Sequence, residues 1–235
     1  MKKTDPTKEA KPLFISFEGG EGVGKSTQIR LLSARLKQAG YEVCCVREPG
    51  GTAIGEQIRS ILLNTANTSM ASIAELLLYE AARAQIIEEV IRPALDAGKI
   101  VLVDRYTDST IAYQAYARGL KEELVATANA IGSGGLVPIK TILLENDVDT
   151  GLSKATEEGA DRLELEGLAF HEQVHQGFAR LAEQNPERIA RVRCQERKED
   201  THELVFAAVA SLFNERAAAP FNITEKLLRD IKENK

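Results

Sequence analysis

Two stretches of this chain carry residues whose types and spacing could do chemistry. The first, GGEGVGKST at 19–27, fits G-x-x-x-x-G-K-[ST]. Gly19, Gly20, Gly22 and Gly24 free the backbone to turn amide N–H groups inward around phosphate oxygens, with Glu21 and Val23 at variable positions. Lys25 would reach the β- and γ-phosphates, and the Ser26 hydroxyl would ligate Mg²⁺. The helix starting there, through Thr27, would add its N-terminal dipole. The second stretch, HEQVH at 171–175, has H-E-x-x-H spacing, which sets two imidazoles one helical turn apart with a glutamate placed as base for a zinc hydrolase. Both patterns are short, so context decides between them.

The glycine stretch sits between a strand and a helix. LFISF (13–17) is apolar and rich in strand formers; after it, Ile29, Leu32 and Leu36 share one helical face until Gly40. EVCCVR (42–47), KIVLVD (99–104), KTILLE (140–145) and IARVR (189–193) read as further strands, several of them apolar enough to be covered on both faces. Helical patterns fill 54–63, 72–97, 108–117, 121–131, 148–158 and 166–184. This alternation predicts an α/β domain over 13–215, with a five-stranded parallel sheet, helices on both faces and ligands at the strands' C-terminal ends. Residues 1–12 read as a disordered polar tail. RAAAP (216–220) reads as a linker to a short amphipathic helix ending near 235, with Asn222 and Glu225 as a capping box and Ile223, Leu227, Leu228 and Ile231 as its apolar face. VLVDRY (101–106) ends in Asp104, whose carboxylate could orient Mg²⁺ through water beside the cradle.

HEQVH lies in a helix whose apolar stripe is Phe170, Val174, Phe178 and Leu181, so His171 and His175 border a core. Glu196, Glu199 and His202 lie downstream as third ligands, but RCQERKEDTHE shows no second helical motif to present one. Structural histidines are the ordinary reading.

Composition narrows the partners. A net charge of −5 gives no support to a nucleic-acid polymer, whose phosphates demand an excess of Lys and Arg. Any phosphate handled should be small and held locally. Three cysteines (Cys44, Cys45 and Cys194) form no disulfide framework, and no apolar run reaches the length of a membrane span or signal. A soluble cytoplasmic protein is expected.

EGGEGVGKST (18–27), REPGGT (47–52), YEAARAQ (79–85) and DRYTDSTIAYQ (104–114), in this order, resemble the motif set of thymidylate kinases. The resemblance runs from about Leu13 to Leu212 and implies Mg²⁺-dependent transfer from ATP to dTMP by a homodimer, with no membrane partner. It implies that Arg47 and Arg105 clamp the dTMP phosphate, Tyr79 stacks on thymine, and Arg83 bonds the base edge. Ser109, Thr110 and Gln114 would complete the pocket, Tyr113 would guard against a ribose 2′-hydroxyl, and Glu21 would approach the sugar or the Mg²⁺. Catalytic charge would come from Lys25, Arg105 and a lid near 154–166, with Glu21 beside them. Of the lid's two basic residues, Arg162 in DRLE (161–164) is the first candidate and Lys154 the second. Kinases with another acceptor, such as dUMP or a deoxynucleoside, stay open, and a zinc hydrolase is the remote alternative.

Overall fold

The computed structural model describes residues 13–148, 151–153, 160–213, 217, 221 and 223–233. Its strands are β1 (Phe14–Glu18), β2 (Val43–Arg47), β3 (Ile100–Asp104), β4 (Lys140–Glu145) and β5 (Ile189–Arg193). They form one parallel sheet in the order β2-β3-β1-β4-β5. Parallel neighbours need crossovers, so helices cover both faces, as expected. Strand alternation sorts the core accordingly. Phe14, Val101 and Val103 pack with Ile86, Ile87 and Ile91 on one face; Ile15, Phe17 and Leu102 pack with Ile29, Leu32 and Val205 on the other. β1 is central and buried at all five positions. From β1 the chain crosses to β2 on one side, and from β3 it crosses back past β1 to β4 on the other; that switch opens a crevice beyond the C-terminal end of β1.

The helices are α1 (Lys25–Gln38), α2 (Ala53–Leu63), α3 (Ser72–Ile86), α4 (Arg92–Asp96), α5 (Thr107–Thr110), α6 (Glu122–Ser133), α7 (Leu168–Gln184), α8 (Lys198–Val209) and α9 (Glu225–Glu233). Two expected helices are not uniform. The one expected over 72–97 passes through a π turn at Ile87–Ile91, and the one over 108–117 is α only in α5 before a π segment, Ile111–Ala117, that carries Tyr113 and Gln114. Such wide turns re-aim the side chains that follow and recur at functional sites.

One helix was not expected at all: α8. Its buried face is Thr201, His202, Val205, Phe206 and Val209, so the stripe opens on two polar residues and its apolar period shows only late. Of the helix expected over 148–158, residues 148 and 151–153 are helical; Lys154, like 155–159, lies outside the described residues. At the far end, the Thr224 hydroxyl caps α9 by accepting from the Leu227 N–H at 3.2 Å, whereas Asn222 lies outside the described residues. Ile231 is buried, and Arg30 of α1 donates to its carbonyl, so α9 docks on the domain.

Candidate active site

The cradle follows β1 directly. Gly19, Gly22 and Gly24 have φ values of 134°, 61° and 92°, which favour glycine. A Cβ on Gly19 would also overlap the Leu144 carbonyl oxygen of β4. With the loop so turned, Lys25 Nζ donates to the carbonyls of Gly19 (3.1 Å) and Gly20 (2.7 Å), folding its ammonium over the loop. Burial and the nearby Arg105 lower Lys25 to about 8, although Asp104, Glu21 and Glu18 pull the other way. At the mouth, the exposed Ser26 hydroxyl donates to Asp104 Oδ2 at 2.6 Å. Thr27 follows in the first turn of α1, half-buried.

A second, deeper pocket opens beside the loop. Tyr79, Arg83, Arg105, Ser109, Thr110, Tyr113 and Gln114 all line it, and Glu21 joins it to the cradle. Arg105 adopts φ 67°, unusual for a residue other than glycine. Glu18 holds that geometry from below: its carboxylate accepts from the Tyr106 N–H at 2.8 Å and from the Ser109 hydroxyl. Arg105 Nη1 donates to the Gly19 carbonyl at 3.0 Å, and its Nη2 lies 2.8 Å from Glu21 Oε1, a charge contact without hydrogen-bond alignment. The Tyr113 hydroxyl also donates to Glu21, at 2.7 Å. Burial acts to raise the Glu21 carboxyl, but Arg105, Lys25 and Tyr113 outweigh it and hold the group down at about 2.

Arg83 is 2% exposed and heavily partnered. Nε donates to Glu48 (2.8 Å), Nη1 to Glu80 (2.6 Å) and Asn129 (2.8 Å), and Nη2 to Thr110 (2.9 Å). Burial alone would depress it; Glu48 and Glu80 instead push it above the usual guanidinium range.

Two expected site residues lie elsewhere. Arg47, expected to clamp the acceptor phosphate, ends edge strand β2 and pairs with Glu56 at 2.9 Å on the open cleft shared with Ser26 and Asp104. A further guanidinium on the pocket wall, beside Arg83 and Arg105, is Arg59 of α2, oriented by a 2.9 Å bond to the Pro49 carbonyl. Sequence reasoning missed it, although a lone arginine amid Ile58, Ile61 and Leu62 was a signal. Arg162, expected over the phosphates, is buried: Nε donates to the Leu62 carbonyl at 2.7 Å and Nη2 to Glu75 at 2.5 Å. A carboxylate and a carbonyl have captured it, so in this geometry it anchors the segment around Asp161–Glu164 to α2 and α3. The carboxylates that organise the pocket, Glu18, Glu48 and Glu75, were also missed, because only their partners reveal what they do.

In α7, His171 is buried and His175 exposed, both bordering a small cavity beneath the loop. Among the described residues, no three His, Cys, Asp or Glu side chains are grouped to hold a metal ion.

A phosphate cradle and a separately walled pocket that meet at Glu21 let a donor and an acceptor approach from two sides. That layout, on this sheet, is that of a P-loop kinase. The thymidylate kinase family model matches residues 17–205, and the chain belongs to that family. It is 48% identical over 184 residues to a thymidylate kinase of Trichlorobacter lovleyi, covering 75% of this chain and 87% of that protein. It is 52% identical over 183 residues to one of Syntrophotalea carbinolica, covering 75% and 85%. The crystal structure of thymidylate kinase from Ehrlichia chaffeensis superposes with a TM-score of 0.68 at 32% identity, covering 84% of this chain and 98% of that one. The protein is therefore an enzyme, and the zinc-hydrolase alternative has no support.

Proposed function

We propose that the chain transfers the γ-phosphoryl group of ATP to the phosphate of dTMP. The observation that carries this reading is the junction at Arg105: one guanidinium bonds the loop carbonyl of Gly19 and also lines the second pocket. An acceptor phosphate held there lies next to the donor phosphates, which in-line transfer requires. Arg59 and Arg105 supply the acceptor phosphate's counter-charge. Tyr79 offers its ring to the base. Four of Arg83's five N–H groups are committed, which leaves one on Nη2 for a carbonyl such as thymine O4. Tyr113 and Glu21 form the sugar end.

Mg²⁺ fits the cradle's mouth, where the Ser26 hydroxyl and the Asp104 carboxylate are hard oxygen donors 2.6 Å apart. One carboxylate and one hydroxyl suffice for an ion otherwise held by phosphates and water. Bound there, it would neutralise charge on the donor phosphates. The acceptor phosphate is ionised near neutral pH, so no strong general base is needed, and the chain's work is alignment and charge. Lys25 and Arg105 provide the fixed positive charge, while Arg162 serves as an anchor.

The same reading includes a homodimer and a cytoplasmic location. Ile54 and Ile61 of α2 and Ile73 and Leu77 of α3 are exposed, which favours a second copy packing on this face; sedimentation equilibrium checks it. A coupled assay with ATP and Mg²⁺ across dTMP, dUMP, dCMP and ribo-TMP tests the function, and dTMP should be preferred. No turnover of dTMP would sink the reading.

A further inference from the structure

Among the described residues, Glu75 is the most heavily engaged carboxylate that no catalytic step uses. It lies on α3 with its side chain 1% exposed. Oε1 accepts from Gln114 Nε2 at 2.9 Å and Arg118 Nε at 3.2 Å; Oε2 accepts from Arg118 Nη2 at 3.2 Å and Arg162 Nη2 at 2.5 Å. Arg118 in turn reaches Glu166 at 2.6 Å. One carboxylate thus ties the acceptor pocket's Gln114 to the anchor of the segment that follows residue 159.

A carboxylate can only accept, so it must receive the NH₂ end of the Gln114 amide. That leaves Oε1 for the pocket that Gln114 lines. An acceptor at that place suits a pyrimidine carrying N3–H, as thymine does, and opposes cytosine, whose N3 is itself an acceptor. Burial acts to raise Glu75, yet bonds from Arg118, Gln114 and Arg162 hold it below the usual carboxylate range, so it stays ionised and acceptor-only.

The geometry points to Glu75 as a positioning residue that sets the orientation of the Gln114 amide, and with it selection for N3–H pyrimidines, while also seating Arg162. This rests on the dTMP reading above. In Glu75→Gln, the guanidinium groups of Arg118 and Arg162 draw the new carbonyl oxygen, and the new NH₂ faces Gln114. The Gln114 amide then turns over and presents its own NH₂ to the pocket.

The test compares dTMP with 5-methyl-dCMP, which matches it in shape, by Kd from calorimetry and by kcat/KM at saturating ATP and Mg²⁺. Glu75→Gln should lower the preference for dTMP by about tenfold or more, the scale of reversing one buried recognition bond. Glu75→Asp, still acceptor-only, should keep the preference. Arg162→Met should lower kcat/KM for both substrates and leave their ratio unchanged. A purely structural Glu75 would lower melting temperature and activity without moving the ratio, and an unchanged ratio in folded Glu75→Gln overturns the inference. Should that variant not fold, a structure of the wild-type enzyme with dTMP decides: Gln114 Nε2 still on Glu75 supports the inference, and Gln114 swung away from it refutes it. Wild-type enzyme inactive on dTMP would instead refute the functional reading.

Discussion

The phosphate loop and the acceptor pocket share Glu21, yet they are built by opposite means. The loop is a run of consecutive residues whose working groups are mainly backbone, shaped by left-handed Gly19, Gly22 and Gly24. Apart from the shared Glu21, its side-chain chemistry is confined to Lys25 and Ser26 at its end. The pocket is walled by side chains from α2, α3, α5, the π segment after it and the stretch around Asp161–Glu164. Two of its cations are held by carboxylates, Arg83 by the buried Glu48 and Glu80 and Arg105 by the half-buried Glu21. By this comparison, removing the loop's Lys25 charge should leave the fold largely undisturbed. In the pocket, the contacts that bind are also contacts that stabilise.

The largest test of this difference is Lys25→Met. It should lower kcat by roughly a thousandfold or more, the scale of losing a main electrostatic donor to a transferring phosphoryl group. Its melting temperature should barely change, because methionine fills similar space and removes a cation that burial disfavours. A large loss of stability would break the comparison from the loop side.

Arg83→Met should cost both function and fold. Glu48 and Glu80 would lose the guanidinium that compensates their burial, a loss of about 3–5 kcal/mol, read from denaturant unfolding. Affinity for dTMP should fall as well. Unchanged stability would mean that the pocket's charges are as dispensable to the fold as the loop's.

The smallest effect is one of pH. A lysine at about 8 in the free enzyme is lowered from its ordinary value, and a phosphate bound beside it favours the charged form. Below that pH the ammonium is already present and nucleotide affinity should be flat. Above it, binding must take up a proton, so affinity should fall by up to about tenfold per pH unit. Calorimetry in buffers of different ionisation heat would register the uptake, and Lys25→Met should abolish it. Persistence of the uptake in that variant would assign the proton elsewhere.

Local features were legible in the chain, and the reason is physical. The glycines of 19–24 carry their backbone freedom wherever they are placed, and the runs LFISF and KIVLVD show their burial in composition. Hence the five strands, the loop, Ser26 with Asp104, and the two-sided packing of the sheet were all expected. Long side chains were another matter. The surroundings of Arg47 and Arg59 in the sequence do not say which carboxylate or carbonyl each will meet, and in the fold Glu56 captures one on the open cleft while the Pro49 carbonyl aims the other at the pocket. Arg162 stood as a free cation until Glu75 and the Leu62 carbonyl, about a hundred residues upstream, were brought beside it. α8 was hidden because His202 and Thr201 look polar in sequence and are buried in the fold. The sequence by itself determined which backbone could cradle phosphate, since that depends on residues in succession. Only the tertiary structure decided where each guanidinium points, since a flexible charged side chain goes to the carboxylate that folding places within reach.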